Sequence, residues 1–219
     1  MKKNKLKLGI VGHGFVGKAT DYGFTRNVEK FIVDPEMGTN IAQLKEFSPQ
    51  IIFICVPTPM ADDGSMDPTI LKEVLTELSL ECPDAIKVIK STVVPNILED
   101  IAEIDTNIVY NPEFLREKHA HTDFINSKLI IFGSKNKIAS KLASQAYLDH
   151  SQCVTKEHVF TELLIAALIK YSINTFLATK VIFFNEIHDI YKNMATHEEW
   201  DDFIDIVSMD ERTGTSHMN

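Results

Sequence analysis

The chain has 219 residues, 44% of them hydrophobic and 24% charged, a globular profile that excludes a low-complexity or disordered chain. Against 31 acidic residues stand 22 basic ones, and the net charge of −9 argues against nonspecific nucleic-acid binding, which is driven by phosphate neutralisation. Three cysteines, Cys55, Cys82 and Cys153, form neither a disulfide framework nor a C-x-x-C metal spacing, and they suit a reducing cytoplasm.

The basic start MKKNKLK leads into an apolar run too short for a signal peptide. Six short runs rich in Ile and Val then predict strands buried on both faces: LKLGIVG, KFIVD, IIFICV, AIKVIKS, NIVYN and KLIIFG. Amphipathic stretches such as DPTILKEVLTELSLEC alternate with them, which predicts an α/β fold with a doubly wound parallel sheet. All eight prolines lie at or before Pro112, and eight of nine glycines at or before Gly133, so the later part can hold long helices. HVFTELLIAALIKYSINTFLATKVIFFNEIHDIYKNM reads as a nearly continuous helix, apolar on most sides and therefore buried in a core or a subunit interface. Lys170, Asn174, Lys180, Asn185 and Glu186 interrupt it and argue against a membrane span. The cluster HEEWDD, His197–Asp202, reads as a solvated loop and helix start, and no metal site is expected.

The first strand runs directly into Gly12-His13-Gly14-Phe15-Val16-Gly17, which fits G-x-G-x-x-G. In such a loop Gly12 permits the tight turn, Gly14 lets a pyrophosphate approach the backbone, and Gly17 allows close helix–strand packing. The helix that follows offers free N–H groups and a partial positive charge to phosphates. Asp34, seventeen residues after Gly17 at the end of the next strand, suits the ribose hydroxyls and would repel a 2′-phosphate, so NAD is expected over NADP. CVPTPM (55–60), KSTVVP (90–95) and NPEFLRE (111–117) follow later strands and should face the same crevice, because ligands of open α/β sheets bind beyond the strands' carboxyl ends.

GHGFVG, FICVPTPMADDGSMD, IKSTVVP, NPEFLRE followed by AHTDF, and LIKYSINTFLATKVIFFNEI occur in this order, and together they resemble the UDP-glucose/GDP-mannose dehydrogenase family over nearly the whole chain. The resemblance implies a Rossmann-type NAD-binding domain over residues 1–156 and a long-helix central, dimerising domain over 157–219. It also implies oxidation of the sixth carbon of a nucleotide-linked hexose, most simply UDP-glucose to UDP-glucuronate, with two NAD reduced. Under it Glu113 is the acid/base glutamate, and Thr92 helps to order a catalytic water near the nicotinamide. Lys170 and Asn174 are the active-site pair beside the sugar, and Phe114, Leu115 and Arg116 belong to the substrate loop. Val56, Pro57, Thr58, Ser91 and Glu117 lie along the cofactor, and Arg212 reaches the sugar of a neighbouring subunit. These residue types suit the chemistry, since an ammonium and an amide one helical turn apart are good donors to a developing oxyanion.

Two departures from the family pattern stand out. The segment between Asp34 and Ile51 is short, leaving only Thr39 or Lys45 near the cofactor's adenosine end. The nucleophilic cysteine motif and the C-terminal UDP-binding domain are not found, so the expectation is an incomplete central domain in a fragment of a longer enzyme. The cysteines that are present read as buried structural thiols. A β-hydroxyacid dehydrogenase, which also pairs a dinucleotide domain with a Lys-x-x-x-Asn helix, and a non-catalytic NAD-binding or dimerisation module are the alternative functions.

Overall fold

The computed structural model describes residues 5–194 and 199–218. Seven strands form one sheet: β1 (Leu6–Val11), β2 (Val28–Val33), β3 (Ile51–Ile54), β4 (Ile86–Ile89), β5 (Ile108–Tyr110), β6 (Ile131–Gly133) and β7 (Val159–Thr161). Their order is β2-β1-β3-β4-β5-β6-β7, and every pairing is parallel except β5 with β6. The order reverses between β1 and β3, where chains leaving adjacent strands turn to opposite faces and open a crevice.

Alternate strand residues feed two cores, one on each face. Ile52 and Ile54 of β3 join one cluster while Ile51 and Phe53 join the other. The first core is covered by α2 (Ile41–Phe47), α3 (Thr69–Glu81) and α4 (Pro95–Ile101). Leu71, Leu75 and Leu78 give α3 the i, i+4, i+7 stripe that faces the sheet. The second core is covered by α1 (Phe15–Gly23), α5 (Ala120–Ile125) and α6 (Lys137–His150). Burial on both faces is why the strand segments read as continuous apolar runs without alternation.

Three differences from the sequence reading have physical causes. β6 runs antiparallel to β5, so the sheet is mixed at one edge. The segment VFT, Val159–Thr161, forms edge strand β7 and does not belong to the long helix, which starts at Leu163. Val159 and Phe160 are 42% and 49% exposed, so a half-covered edge strand carries no clear period of its own. The long helix α7 (Leu163–Met194) is buried within the chain only in part: Leu163, Ala166, Ala167 and Lys170 are buried, whereas Leu168, Phe176, Ile182, Phe183 and Ile190 are exposed. By length and composition alone α7 could cross a membrane.

The chain forms two compact units, Met1–Lys170 and Tyr171–Asn219. The first extends past residue 156 because β7 adds to the sheet and the first turns of α7 pack on its core. Within the second, Phe184 of α7, Ile204 of α8 (Trp200–Ser208) and Met218 form a small core, with Trp200 and Phe203 against it. Lys180 donates to the carbonyls of Thr213 and Ser216 there.

Candidate active site

The glycine loop occupies the switch point. Gly12 has φ +88, and a Cβ on it would lie 2.7 Å from the Cys55 carbonyl oxygen, so the turn and the approach of β3 both require glycine. A Cβ on Gly17 would lie 2.1 Å from the Gly12 oxygen. At Gly14 a Cβ would meet nothing within 4 Å, so the space beside this backbone is open, and no side chain caps the α1 N-terminus. The three glycines thus have the turn, approach and packing geometry that a pyrophosphate on a helix N-terminus needs.

Asp34 ends β2 and accepts from the backbone N–H groups of His13, at 2.6 Å, and Glu36, at 2.9 Å. Each oxygen keeps a free lone pair, so the carboxylate is oriented and still able to accept from a ribose diol. The short segment after it closes on itself: the Asp34 N–H donates to Thr39 Oγ1, Gly38 takes a left-handed turn, and Asn40 and Gln43 form a capping box for α2. Thr39 is therefore engaged locally, and Lys45 pairs with Glu81.

The loops after β3 and β4 are tied together beside the glycine loop. Ser91 Oγ donates to the Val56 carbonyl at 2.6 Å, and Thr58 Oγ1 donates to the Thr92 carbonyl at 3.0 Å. Val56 is buried, whereas Pro57 is exposed.

The loop after β5 meets the start of α7. Lys170, 4% exposed, donates to Glu113 Oε1 at 3.1 Å and to the Glu113 carbonyl, and its ammonium lies 5.1 Å from the centre of the Phe114 ring. Glu113 Oε2 accepts from the Leu115 N–H at 2.6 Å. Arg116 is turned to a partner that sequence reasoning missed. Its guanidinium makes a two-pronged contact with Asp123 at 2.8 and 3.0 Å, which holds the Asp123 carboxyl below its usual range. Asp123 lies in AHTDF, so the signal was the motif itself. Glu117 is exposed in a short 3-10 turn. Asn174 and Arg212 belong to the second unit; Asn174 is exposed on α7, and Arg212 pairs with Asp210.

Burial pushes the Cys55 thiol up to about 12 and raises Cys82 and Cys153 as well, so none of them is a ready thiolate. A groove of about 560 Å³ lies at the opposite, amino ends of the strands, near Leu6, Ile51 and Ile86, away from all these loops. Among the described residues no three His, Cys, Asp or Glu side chains could hold a metal; His197 and Glu198 of HEEWDD lie outside them.

The NAD-binding domain model of the UDP-glucose/GDP-mannose dehydrogenase family matches residues 36–150, and the family's central domain matches residues 165–219. The first match begins beyond the glycine loop and Asp34, whose assignment rests on their geometry. The UDP-glucose 6-dehydrogenase of Rickettsia bellii is 33% identical over 78% of this chain and 40% of that protein. The GDP-mannose 6-dehydrogenase of Azotobacter vinelandii is 27% identical over 82% of this chain and 43% of that protein. A UDP-glucose dehydrogenase structure from Pyrobaculum islandicum has the same fold, with a TM-score of 0.79 at 24% identity over all of this chain and 60% of that one. This chain therefore spans about 40% of the length of the curated relatives it matches. With the switch-point glycines, the oriented Asp34 and these matches together, the chain belongs to the UDP-glucose/GDP-mannose dehydrogenase family and carries its NAD-binding domain.

Proposed function

We propose that this chain supplies the cofactor domain and part of the catalytic wall of an NAD-dependent dehydrogenase that oxidises the sixth carbon of a nucleotide sugar, with UDP-glucose as substrate and UDP-glucuronate as product. The observation that carries this reading is the buried Lys170–Glu113 pair, in a chain whose glycine loop fits a dinucleotide. Gly12, His13, Gly14, Phe15, Val16 and Gly17 would hold the pyrophosphate, and Asp34 the adenosine ribose. Val56, Pro57, Thr58, Ser91, Thr92 and Glu117 would line the groove toward the nicotinamide. NAD, when bound, supplies the hydride acceptor.

The roles of the chain's own groups follow from what the reaction demands. The hydroxyl proton must leave as hydride departs from the same carbon, and Glu113 takes it directly or through a water ordered by Thr92. The oxygen gains negative charge in that step, and the Lys170 ammonium and the Asn174 amide are donors suited to it. In the ligand-free protein Glu113 is the opposite-charge partner of the buried Lys170, a place that the sugar oxygen would share. Phe114, Leu115 and Arg116 shape the sugar loop, and Arg212 contacts sugar bound to a neighbouring subunit. Passage from aldehyde to acid uses a thiolate nucleophile, for which Cys55, Cys82 and Cys153 are unsuited. That step therefore calls for a thiol other than these three.

The domain division at residue 156/157 and a homodimer built on α7 belong to the same reading. Phe176, Ile182, Phe183 and Ile190 are exposed apolar side chains of the kind that mark interfaces, and a second copy would cover them in a cytoplasmic protein. Sedimentation of a detergent-free monomer at micromolar concentration would remove the dimer, and partition into vesicles would assign α7 to a membrane instead.

The decisive experiment is a titration with NAD and NADP by calorimetry, followed by NADH formation with UDP-glucose, GDP-mannose and N-acetylated UDP-sugars. NAD binding with NADH formed from UDP-glucose supports the reading. NAD binding without sugar-dependent NADH favours a binding module. Turnover of a small 3-hydroxy acid, or no NAD binding, overturns it.

A further inference from the structure

We propose that Lys90 is a positioning residue of this site: it clamps Asn111 and thereby holds the loop that presents Glu113 to Lys170. The proposal rests on Glu113 belonging to the proposed site. Lys90 follows β4 and is 4% exposed. Its ammonium donates to Asn111 Oδ1 at 3.0 Å, to the Asn111 carbonyl at 3.4 Å and to the Tyr147 hydroxyl at 3.2 Å. The Tyr147 hydroxyl in turn donates to Asn111 Oδ1 at 2.7 Å, and Asn111 Nδ2 donates to the Ile131 carbonyl at 2.7 Å.

Asn111 is thus gripped from the end of β4, from α6 and from β6, and only Pro112 separates it from Glu113. The two lone pairs of Asn111 Oδ1 are both used, so the side chain has one orientation. Proline at 112 then limits the backbone that carries this orientation to Glu113. All hydrogen-bond acceptors of Lys90 are neutral, and the rings of Phe124 and Tyr147 lie 5.8 and 5.9 Å from its ammonium. Burial lowers its pKa, while the nearby Cys55 and Glu113 oppose that shift. A lysine that only filled space would be replaceable by methionine, because a desolvated ammonium without a counter-charge is costly to keep. Two donated bonds to Asn111 and a third to Tyr147, which itself holds Asn111, are what the ammonium adds.

A cavity of about 20 Å³ lined by Lys90, Asn111, Glu113, Tyr147 and Cys153 adjoins the clamp. The test is amide hydrogen exchange by NMR on this chain, with and without substitution at Lys90. In Lys90→Met the Leu115 amide, which is held by Glu113, should exchange roughly tenfold faster or more, while amides of β1 and α1 keep their rates. Lys90→Arg, which keeps charge and donors, should restore protection to within about threefold. Unchanged Leu115 exchange in Lys90→Met overturns the proposal, and so does equal loss in Met and Arg, which would point to packing alone. Should Lys90→Met not fold, Tyr147→Phe removes one arm of the clamp; faster Leu115 exchange supports the proposal and an unchanged rate overturns it. Exchange requires neither cofactor nor sugar, and NAD titration of the same variants separates failure of the clamp from failure of the functional reading.

Discussion

Two buried lysines three residues apart, Lys87 and Lys90, sit at opposite ends of the same strand region, and their surroundings differ in kind. At the amino end Lys87 is fully buried and pairs with Asp105, itself 8% exposed on its side chain, at 2.6 Å. At the carboxyl end Lys90 has neutral acceptors, and Lys170 nearby holds Glu113 of the same loop. The amino end closes its charges on each other. At the carboxyl end the hydrogen bonds of Lys90 orient a loop whose carboxylate meets the Lys170 ammonium of α7. The buried pair at the amino end supports the fold, whereas the Lys170–Glu113 pair at the carboxyl end lies beside the crevice, next to an ammonium held among dipoles, and points to a site.

The sharpest way to break this comparison is Lys87→Met, which strands the Asp105 carboxylate. Urea unfolding should show a loss of about 3–5 kcal/mol, and Lys87→Met with Asp105→Leu should recover most of it. A single substitution within about 1 kcal/mol of the parent would put the amino end in the same class as ordinary surface pairs. At the carboxyl end Lys170→Met should instead be felt in chemistry: sugar-dependent NADH formation falls roughly 10²–10³-fold while NAD affinity is retained. Equal loss of both would mean that Lys170 supports the fold and not the oxyanion.

Gly14→Ala tests the open space directly. Its melting temperature should hardly change, a stability effect within about 0.5 kcal/mol, yet NAD should bind roughly tenfold more weakly or worse. Gly17→Ala, whose Cβ meets backbone, should be the reverse case and lose ~2 kcal/mol of stability. The smallest effect is expected at Asp123, whose carboxyl the Arg116 guanidinium holds below the usual carboxylate range. A lowered carboxyl pKa stabilises above the unfolded value and loses that contribution as pH falls through the folded one. Asp123→Asn should therefore cost ~1 kcal/mol or less at neutral pH, and the difference from the parent should shrink as pH falls below the usual carboxylate range in acid unfolding curves. A difference that grows on acidification would contradict the assigned cause.

Much of the sheet was legible because its strands are short, apolar and bounded by turn residues. β7 was not, since a three-residue edge strand with half-exposed Val159 and Phe160 has no period to read. Lys170 was legible as an anomaly, an ammonium in an apolar run, but its partner Glu113 lies 57 residues away. The role of Lys90 within KSTVVP was not legible, because its contacts come from the loop after β5 and from α6, and no local spacing encodes them. For Arg116 the sequence suggests a substrate-loop role, while its guanidinium is held by Asp123, seven residues on.

By itself the sequence determined the strand-and-helix alternation, the dinucleotide loop, and the family to which the motif order belongs, because these depend on local backbone freedom and on short-range patterns of burial. Only the tertiary structure decided which charges meet. It placed the glycine loop at the reversal between β1 and β3, closed Glu113 on Lys170, and turned Arg116 to Asp123. Strand order and long-range pairing are set by how two cores pack across one sheet, a cooperative outcome that no single segment carries.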